Sequence, residues 1–125
     1  MRIKTLPRIL LMFLLMFFLL AGTSLAVRET CYSSDQQSAS AAIKASAGYF
    51  YGIAVITDAT NAVTVDIYDN ASAASGTKLI PTWVITTSST DRCQSYDAPA
   101  PIRVRNGIYV NITCDGTVKY IVYYE

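Results

Sequence analysis

Three cysteines, Cys31, Cys93 and Cys114, are the residues with the most distinctive chemistry in this sequence. The chain has no CxxC pair and no histidine, which excludes the usual zinc and haem-attachment motifs. Cys93 and Cys114 lie in the strand-rich second half, so we predict a disulfide between them. It would close a loop of about twenty residues and contribute about 3 kcal/mol. Cys31 then stays free or pairs with another chain; the alternative is three reduced thiols.

The acidic residues are the other candidates for chemistry, and the nine of them are scattered singly. Hydrolysis by paired carboxylates needs partners that meet in space, whereas carboxylates at turns usually accept hydrogen bonds from nearby backbone. No nucleophile elbow, phosphate-binding loop or EF-hand spacing occurs. Asp66, Asp69 and Asn70 fit no calcium loop, which favours turn capping. We therefore expect no enzyme activity, no cofactor and no metal.

Four residues form a predicted partner surface, and two others are candidate glycan acceptors. Arg103 and Arg105 share the outward face of one predicted strand, and exposed tyrosines accompany them at Tyr109 and Tyr123. The alternative is a charged strand edge that resists pairing with another sheet. The acceptors are the asparagines of two sequons, Asn70-Ala71-Ser72 and Asn111-Ile112-Thr113.

The first 26 residues have the three-part pattern of a secretory signal peptide. A positive start precedes the apolar run Ile9 to Ala21, and small residues end at Ala26, where we predict cleavage. The mature protein is then secreted, periplasmic or extracellular, and it meets a membrane only during export. The alternative is a retained N-terminal anchor, for which the apolar run is short, since spanning takes about 20 residues.

Without this segment the chain keeps seven basic and nine acidic residues, a formal charge of −2. Nucleic-acid binding requires clustered positive charge, so we expect no nucleic-acid partner. About a hundred residues remain, enough for one domain. We divide them into a polar N-terminal arm, 27–46, which is extended or mobile, and a β-domain, 47–125.

The β-domain is predicted from residues that favour strands and from their alternation. We expect strands at Tyr49–Thr57, which is apolar on both sides and therefore central, at Ala62–Tyr68 and at Lys78–Thr87. Residues 88–101 read as a long loop containing Cys93. Pro81 belongs at an edge or a bulge, because it has no N–H to donate to a ladder.

The last quarter predicts a three-strand meander. A three-residue loop at 105–107 would pair Val104 with Ile108 and keep every apolar side chain on one face, with Gly107 in a left-handed conformation. The next loop would pair Val110 with Tyr120. The fold class is therefore all-β: a small single-domain β-sandwich or jelly-roll-like barrel of about five to seven antiparallel strands.

The run from Lys44 to Val122 also resembles the small β-rich structural proteins of tailed bacteriophages and prophages. The resemblance lies in KASAGYFYGIAVITDATNAVTVDIYDNASAASGTKL, in PIRVRNGIYVNI and in the closing strand KYIVYY. It implies a virion-associated component, such as a head-decoration or fibre-like module, with no catalytic residues to carry over. The signal peptide is an addition to that pattern.

Two functional hypotheses result. The first is an exported, non-enzymatic structural or assembly module. It would self-associate, or bind another surface or virion structural protein, at the cell surface or in an extracellular or virion-like assembly. Its arm would add a strand to a neighbour's open sheet edge. The second is a secreted module that binds carbohydrate or a surface polymer through exposed tyrosines and the loop around Cys93.

Overall fold

A computed structural model describes residues 30–86 and 92–125, and the regular structure in this part of the chain is β-strand. The strands are β1 (Tyr32–Ser33), β2 (Ala41–Lys44), β3 (Gly48–Thr57), β4 (Val63–Asp69), β5 (Trp83–Ile85), β6 (Cys93–Val104), β7 (Ile108–Cys114) and β8 (Val118–Tyr124). Within these ranges, no helix has the length and apolar character needed to cross a membrane. The predicted signal peptide, 1–26, lies outside the described residues.

The strands form two antiparallel four-stranded sheets. Sheet A has the order β1-β8-β3-β6, and sheet B has the order β2-β7-β4-β5. This confirms the all-β sandwich and the central position of β3. The strand number exceeds the predicted range because β1 and β2 lie in the segment assigned to the polar arm. The described part of that segment, 30–46, belongs to the two sheets.

The core lies between the sheets and consists of the inward side chains of both. β4 shows why the chain folds this way: Val63, Val65 and Ile67 are fully buried, as its alternation predicts. The other buried apolar residues are Phe50, Ile53, Val55, Ile80, Ile85, Val104, Ile108, Val110, Val118, Tyr120 and Val122. Each sheet therefore buries its apolar face by packing it against the other sheet.

The predicted C-terminal meander is wrong, although its inward residues are correct. β6 and β8 lie in sheet A and β7 lies in sheet B, so the three strands do not pair with one another. Val104 pairs with Gly48, and Ile108 pairs with Lys44 and Asp69. The physical reason is that a short loop has two ways to bring the apolar side chains of its flanking strands together. The strands can pair within one sheet, or they can face each other across the core. Alternation identifies the inward face but not the partner strand.

The loop at 105–107 therefore connects the two sheets instead of closing a hairpin. Gly107 has φ 151°, outside the left-handed helical conformation that a hairpin loop requires. A side chain here would collide with the backbone carbonyl of Lys44. Close approach of two backbones, together with the positive φ, explains the glycine.

The loop predicted at 88–101 is wrong over its described part, because residues 93–101 belong to β6. Pro99 and Pro101 fall where the ladder is interrupted: Asp97 pairs with Gly52, and Ile102 pairs with Phe50. Proline is tolerated in a strand at such an irregularity and at a sheet edge, and β6 provides both.

The N-terminal segment is tied to β8 mainly by hydrogen bonds. The Ser34 N–H donates to the Val122 carbonyl at 2.8 Å, and Gln37 and Tyr120 exchange two backbone bonds of 2.9 Å. The buried Tyr120 hydroxyl donates to the Ala39 carbonyl at 2.8 Å. Burial raises the pKa of Tyr120, so this hydroxyl stays protonated and able to donate.

Replacing Tyr120 with phenylalanine should loosen this attachment while keeping the buried ring. We expect Tyr120→Phe to lower the free energy of unfolding by about 1 kcal/mol. Amide hydrogen exchange should accelerate between residues 37 and 44. Tyr123→Phe is the matched control, because no hydrogen bond from the Tyr123 hydroxyl occurs among the described residues. Unchanged exchange in Tyr120→Phe would contradict the role of the hydroxyl.

Candidate functional site: the outer face and free edge of sheet A

The outward residues of sheet A form a regular array on β8, β3 and β6. Registered pairing arranges them in three rows across the sheet: Lys119, Ile56 and Cys93; Ile121, Ala54 and Ser95; Tyr123, Gly52 and Asp97. We call these nine residues the A face. They are the counterparts of the inward residues on the same strands, so the alternation that fills the core also places them outside.

The middle of the A face is apolar and open to solvent. Ile56 is 48% exposed, an unusual degree for isoleucine on a central strand. A shallow hollow of about 60 Å³ lies here, bordered by Ala54, Ile56, Ile121 and the exposed Cys93. The small side chain of Ala54 keeps the centre of this surface low, whereas Gly52 is buried beside Asp97.

Opposite charges occupy two diagonally opposed corners of the A face. Lys119 ends the first row and Asp97 ends the third. Among the described residues, neither has an opposite charge within 4.0 Å. Asp97 accepts only a long 3.4 Å hydrogen bond there, from the Ser95 hydroxyl. Both charges are therefore available to a partner.

The A face continues into the free edge of sheet A. Within the described residues β6 pairs with β3 alone, and the Thr57 N–H donates to the Arg92 carbonyl at 2.8 Å. Because backbone groups alternate in direction along a strand, Cys93, Ser95 and Asp97 direct theirs away from β3. Their N–H and C=O groups form the free edge. Beyond them, the prolines remove donors from the rest of β6.

Two aspartates, Asp69 and Asp58, hold connections between the sheets through hydrogen bonds from backbone N–H groups. At one end of the sandwich, Asp69 accepts hydrogen bonds from the backbone N–H groups of Arg105 (3.1 Å), Asn106 (2.7 Å) and Gly107 (3.3 Å). Desolvation alone would raise the pKa of Asp69, but the N–H donors outweigh it and the pKa lies below its ordinary value.

At the other end, Asp58 has the same role. It accepts hydrogen bonds from the N–H groups of Thr60 (2.8 Å) and Asn61 (2.9 Å), from the Asn61 amide (2.9 Å), and from the Thr117 N–H (3.0 Å). These donors, led by the Asn61 side chain, hold the pKa of Asp58 well below its usual range. Gly116 has no side chain, and any Cβ there would collide with this carboxylate.

Sheet B carries a polar cluster on its outer face. The Lys78 ammonium donates to Asp66 at 2.6 Å and to the Thr82 hydroxyl at 2.7 Å, and that hydroxyl donates to Asp66 at 2.6 Å. These bonds lower the pKa of Asp66, with Lys78 as the largest cause. Tyr68 and Tyr109 are direct neighbours across β4 and β7. Among the described residues, no group of three or more His, Cys, Asp or Glu side chains is placed to hold a metal.

The predicted disulfide between Cys93 and Cys114 does not form, and all three cysteines are free thiols. Cys93 begins β6 on the outer side of sheet A. Cys114 ends β7 on the inner side of sheet B, packed against the core, where its sulfur accepts a 3.3 Å hydrogen bond from the Gly116 N–H. The two thiols point to different sides of different sheets. The residues around the two cysteines in the sequence did not indicate that the thiols lie on different sheets.

The predicted partner surface is divided by the fold. Arg103 and Tyr123 lie on the outer side of sheet A, whereas Tyr109 lies on the outer side of sheet B. Arg105 follows β6 in the connection to β7, so it does not share a strand face with Arg103. Only Tyr123 of these four belongs to the A face.

The two candidate glycan acceptors differ in their surroundings. Asn70 caps its own loop: its side-chain oxygen accepts hydrogen bonds from the Ser72 and Ala73 N–H groups at 2.9 and 3.0 Å, and its amide donates to the Ser75 carbonyl at 3.1 Å. Turn capping, as predicted, is thus its structural role. Asn111 lies on the outer face of sheet B, and its oxygen accepts a 3.2 Å hydrogen bond from Ser40.

The A face itself was not predicted as a site. One feature of the sequence indicated this surface: Tyr49–Thr57 is apolar on both sides. If Val55 faces the core, Ile56 and Ala54 must then face outward. The residues of β6 were read as a loop, so Cys93, Ser95 and Asp97 had no assigned face. Register across three strands that are distant in sequence assembles this surface.

The hydrogen bonds of Asp69 generate a pH prediction. Its folded pKa lies below the ordinary value of 3.8, so its contribution to stability is present above that value and is lost as the pH falls through the folded pKa. We expect Asp69→Asn to lower the free energy of unfolding by about 1–2 kcal/mol at pH 7. The difference from the unmodified chain should narrow below about pH 4. Urea unfolding followed by Trp83 fluorescence measures both.

Asp115→Asn is the control for this variant. It removes the same charge from a connection, and no hydrogen bond to the Asp115 side chain occurs within the described ranges. A pH-independent difference between Asp69→Asn and the unmodified chain would contradict the assigned role of the carboxylate.

No protein-family model, curated protein or solved structure matches the chain. The resemblance to phage structural proteins therefore stays a prediction. Functional inference depends on the surfaces of the two sheets.

Proposed function

We propose that this chain is an exported, non-enzymatic structural module that self-associates in an extracellular or surface assembly. The observation that carries the proposal is the free edge of β6. There the backbone groups of Cys93, Ser95 and Asp97 have no partner in the part of the chain that the structure describes, and they lie beside an exposed apolar face. A free edge of this kind pairs readily with a strand of another chain. A monomeric protein ordinarily protects such an edge; on β6 the prolines protect one half, and Cys93–Asp97 carries a single charge, that of Asp97.

The position of the N-terminal arm favours a contact through the edge of β6 and not through the arm itself. We expected the arm to add a strand to a neighbour. In this structure β1 and β2 instead pair with β8 and β7 of their own chain, covering those edges. The long strand left with one partner is β6, so β6 is the acceptor that we propose.

The placement of the aspartates supports a non-enzymatic role. General acid–base catalysis needs a carboxylate that can reach a substrate and exchange a proton near working pH. Asp58 and Asp69 accept several N–H bonds each, and their lowered pKa values keep them ionised. Asp66 is similarly bonded to Lys78 and Thr82. These three side chains are engaged in holding the fold.

Carbohydrate binding is the second candidate, and the outer face of sheet B favours it. Tyr68 and Tyr109 lie side by side, next to the hydrogen-bonding groups of Asp66 and Asn111. Aromatic rings beside polar groups suit the faces and hydroxyls of sugars. The loop around Cys93 gives no support, because it is a strand. On a glycan array, Tyr109→Ala should lose any binding that the unmodified chain shows; binding unaffected by this change would exclude the surface.

The edge contact can be tested with a proline at Ser95, whose N–H points away from β3. Ser95→Pro removes a donor from the free edge and none from the β3 ladder, so the fold should persist. We expect light scattering coupled to size-exclusion chromatography to show a smaller mean mass than for the unmodified chain. Ser95→Thr is the matched control, because it keeps the N–H and favours strands. A strictly monomeric unmodified chain at high concentration would overturn the proposal.

A further inference from the structure

We propose that the A face is the contact surface of a twofold dimer, in which two copies of this chain pack their A faces together. This inference rests on the proposed self-association and names a second contact, distinct from the free edge of β6. The partner is a second copy because the arrangement of charges and apolar groups on the A face is complementary to itself.

The self-complementarity follows from the three rows. The surface measures about 10 Å across its strands and about 13 Å along them. One diagonal runs from Cys93 through Ala54 to Tyr123, and the other joins Lys119 to Asp97. A twofold axis lying along the first diagonal brings Lys119 of each copy onto Asp97 of the other. Such an isologous contact places each residue against a fixed partner.

The same operation sets the partners of the remaining residues, and Tyr123 meets its own counterpart at the end of the axis opposite Cys93. Ala54 meets its own counterpart near the centre, where small side chains allow the sheets to approach. Ile121 meets the row that contains Gly52, a buried position whose neighbours are Tyr123 and Asp97. Ile56 meets Ser95 and is removed from water, which contributes about 25 cal/mol for each Å² of apolar surface buried. The strands of the two copies then cross at a steep angle, a known mode of sheet packing.

The two ion pairs would set the orientation of the dimer. Lys119 and Asp97 lie at the rim of the patch, where complementary charges mainly select the correct arrangement and like charges oppose a wrong one. Neither charge has an oppositely charged partner within the described part of its own chain. Dimerisation would therefore form two ion pairs without breaking an existing one.

Cys93 provides an internal reporter of the arrangement. It lies on the proposed axis and is exposed, so the two thiols of a dimer face each other. A short bis-maleimide should link the copies through Cys93: one thiol adds across each of its two C=C bonds, with the sulfur bonding to one carbon and the proton going to the other. The reaction is run on a Cys31→Ser background, because Cys31 is also exposed. Cys93→Ser should abolish the covalent dimer.

Charge reversal is the decisive experiment. Lys119→Glu would face Asp97 of the other copy, and Asp97→Lys would face Lys119, so each variant should weaken dimerisation by about tenfold or more in sedimentation equilibrium. The double variant restores both pairs with exchanged signs and should return to within about threefold of the unmodified chain. Asp115→Lys is the matched control, since it makes the same charge change outside the A face and should leave dimerisation unchanged.

The outcomes separate the two contacts. If the single reversals leave association unchanged, or the double variant is no tighter than either of them, the face dimer is wrong. If Ser95→Pro nevertheless reduces the assembly, self-association through the free edge still holds. Loss of dimer in the single reversals with recovery in the double variant supports the face contact whatever the result for Ser95→Pro, because Ser95 belongs to both the A face and the free edge.

Discussion

The structure depends on connections that cross between two sheets and on the carboxylates that hold them. Within the described residues, only the connection from β4 to β5 joins two strands of one sheet. The other consecutive strands lie in opposite sheets, so short loops must turn the chain over the edge of the core. Backbone N–H groups in such loops cannot join a ladder and need other acceptors. Asp58 and Asp69, one at each end of the sandwich, supply them.

This arrangement limits the chemistry available to the protein. Each carboxylate bonds to two connections or to several successive N–H groups, and those bonds favour the charged form. Asp58 and Asp69 are thereby part of the framework. The free thiols are likewise divided between the two sheets. What the molecule presents to its surroundings is therefore surface and strand edge, and a contact role is the one that these features favour.

The two outer faces of the sandwich differ in character. On sheet B, Lys78, Asp66 and Thr82 are bonded to one another beside a pair of tyrosines. On sheet A, the A face is apolar at its centre, and its charges are not paired within the described chain. Since exposed apolar surface with unpaired charges is typical of contact sites, sheet A is the face on which we propose a protein contact. The free edge adjoins the same face, which concentrates both proposed contacts on one side.

Sequence alone determined the all-β class, the bounds of β3, β4, β7 and β8 to within about two residues, and the inward residues of these strands. It could do so because alternation and strand preference are local properties. It also predicted the capping role of Asn70, which depends on neighbours a few residues away.

Only the tertiary structure decided which strands pair and what the outer faces carry. Val104 and Ile108 read equally well as hairpin partners and as members of opposing sheets, because both arrangements bury them. Cys93 and Cys114 read as a pair until the fold placed them on different sides. β6 read as a loop because its prolines and alanines discourage a strand, and pairing with β3 overrides that preference. The energy of strand pairing comes from contacts between residues far apart in the chain. The sequence pattern within a single strand does not predict those contacts.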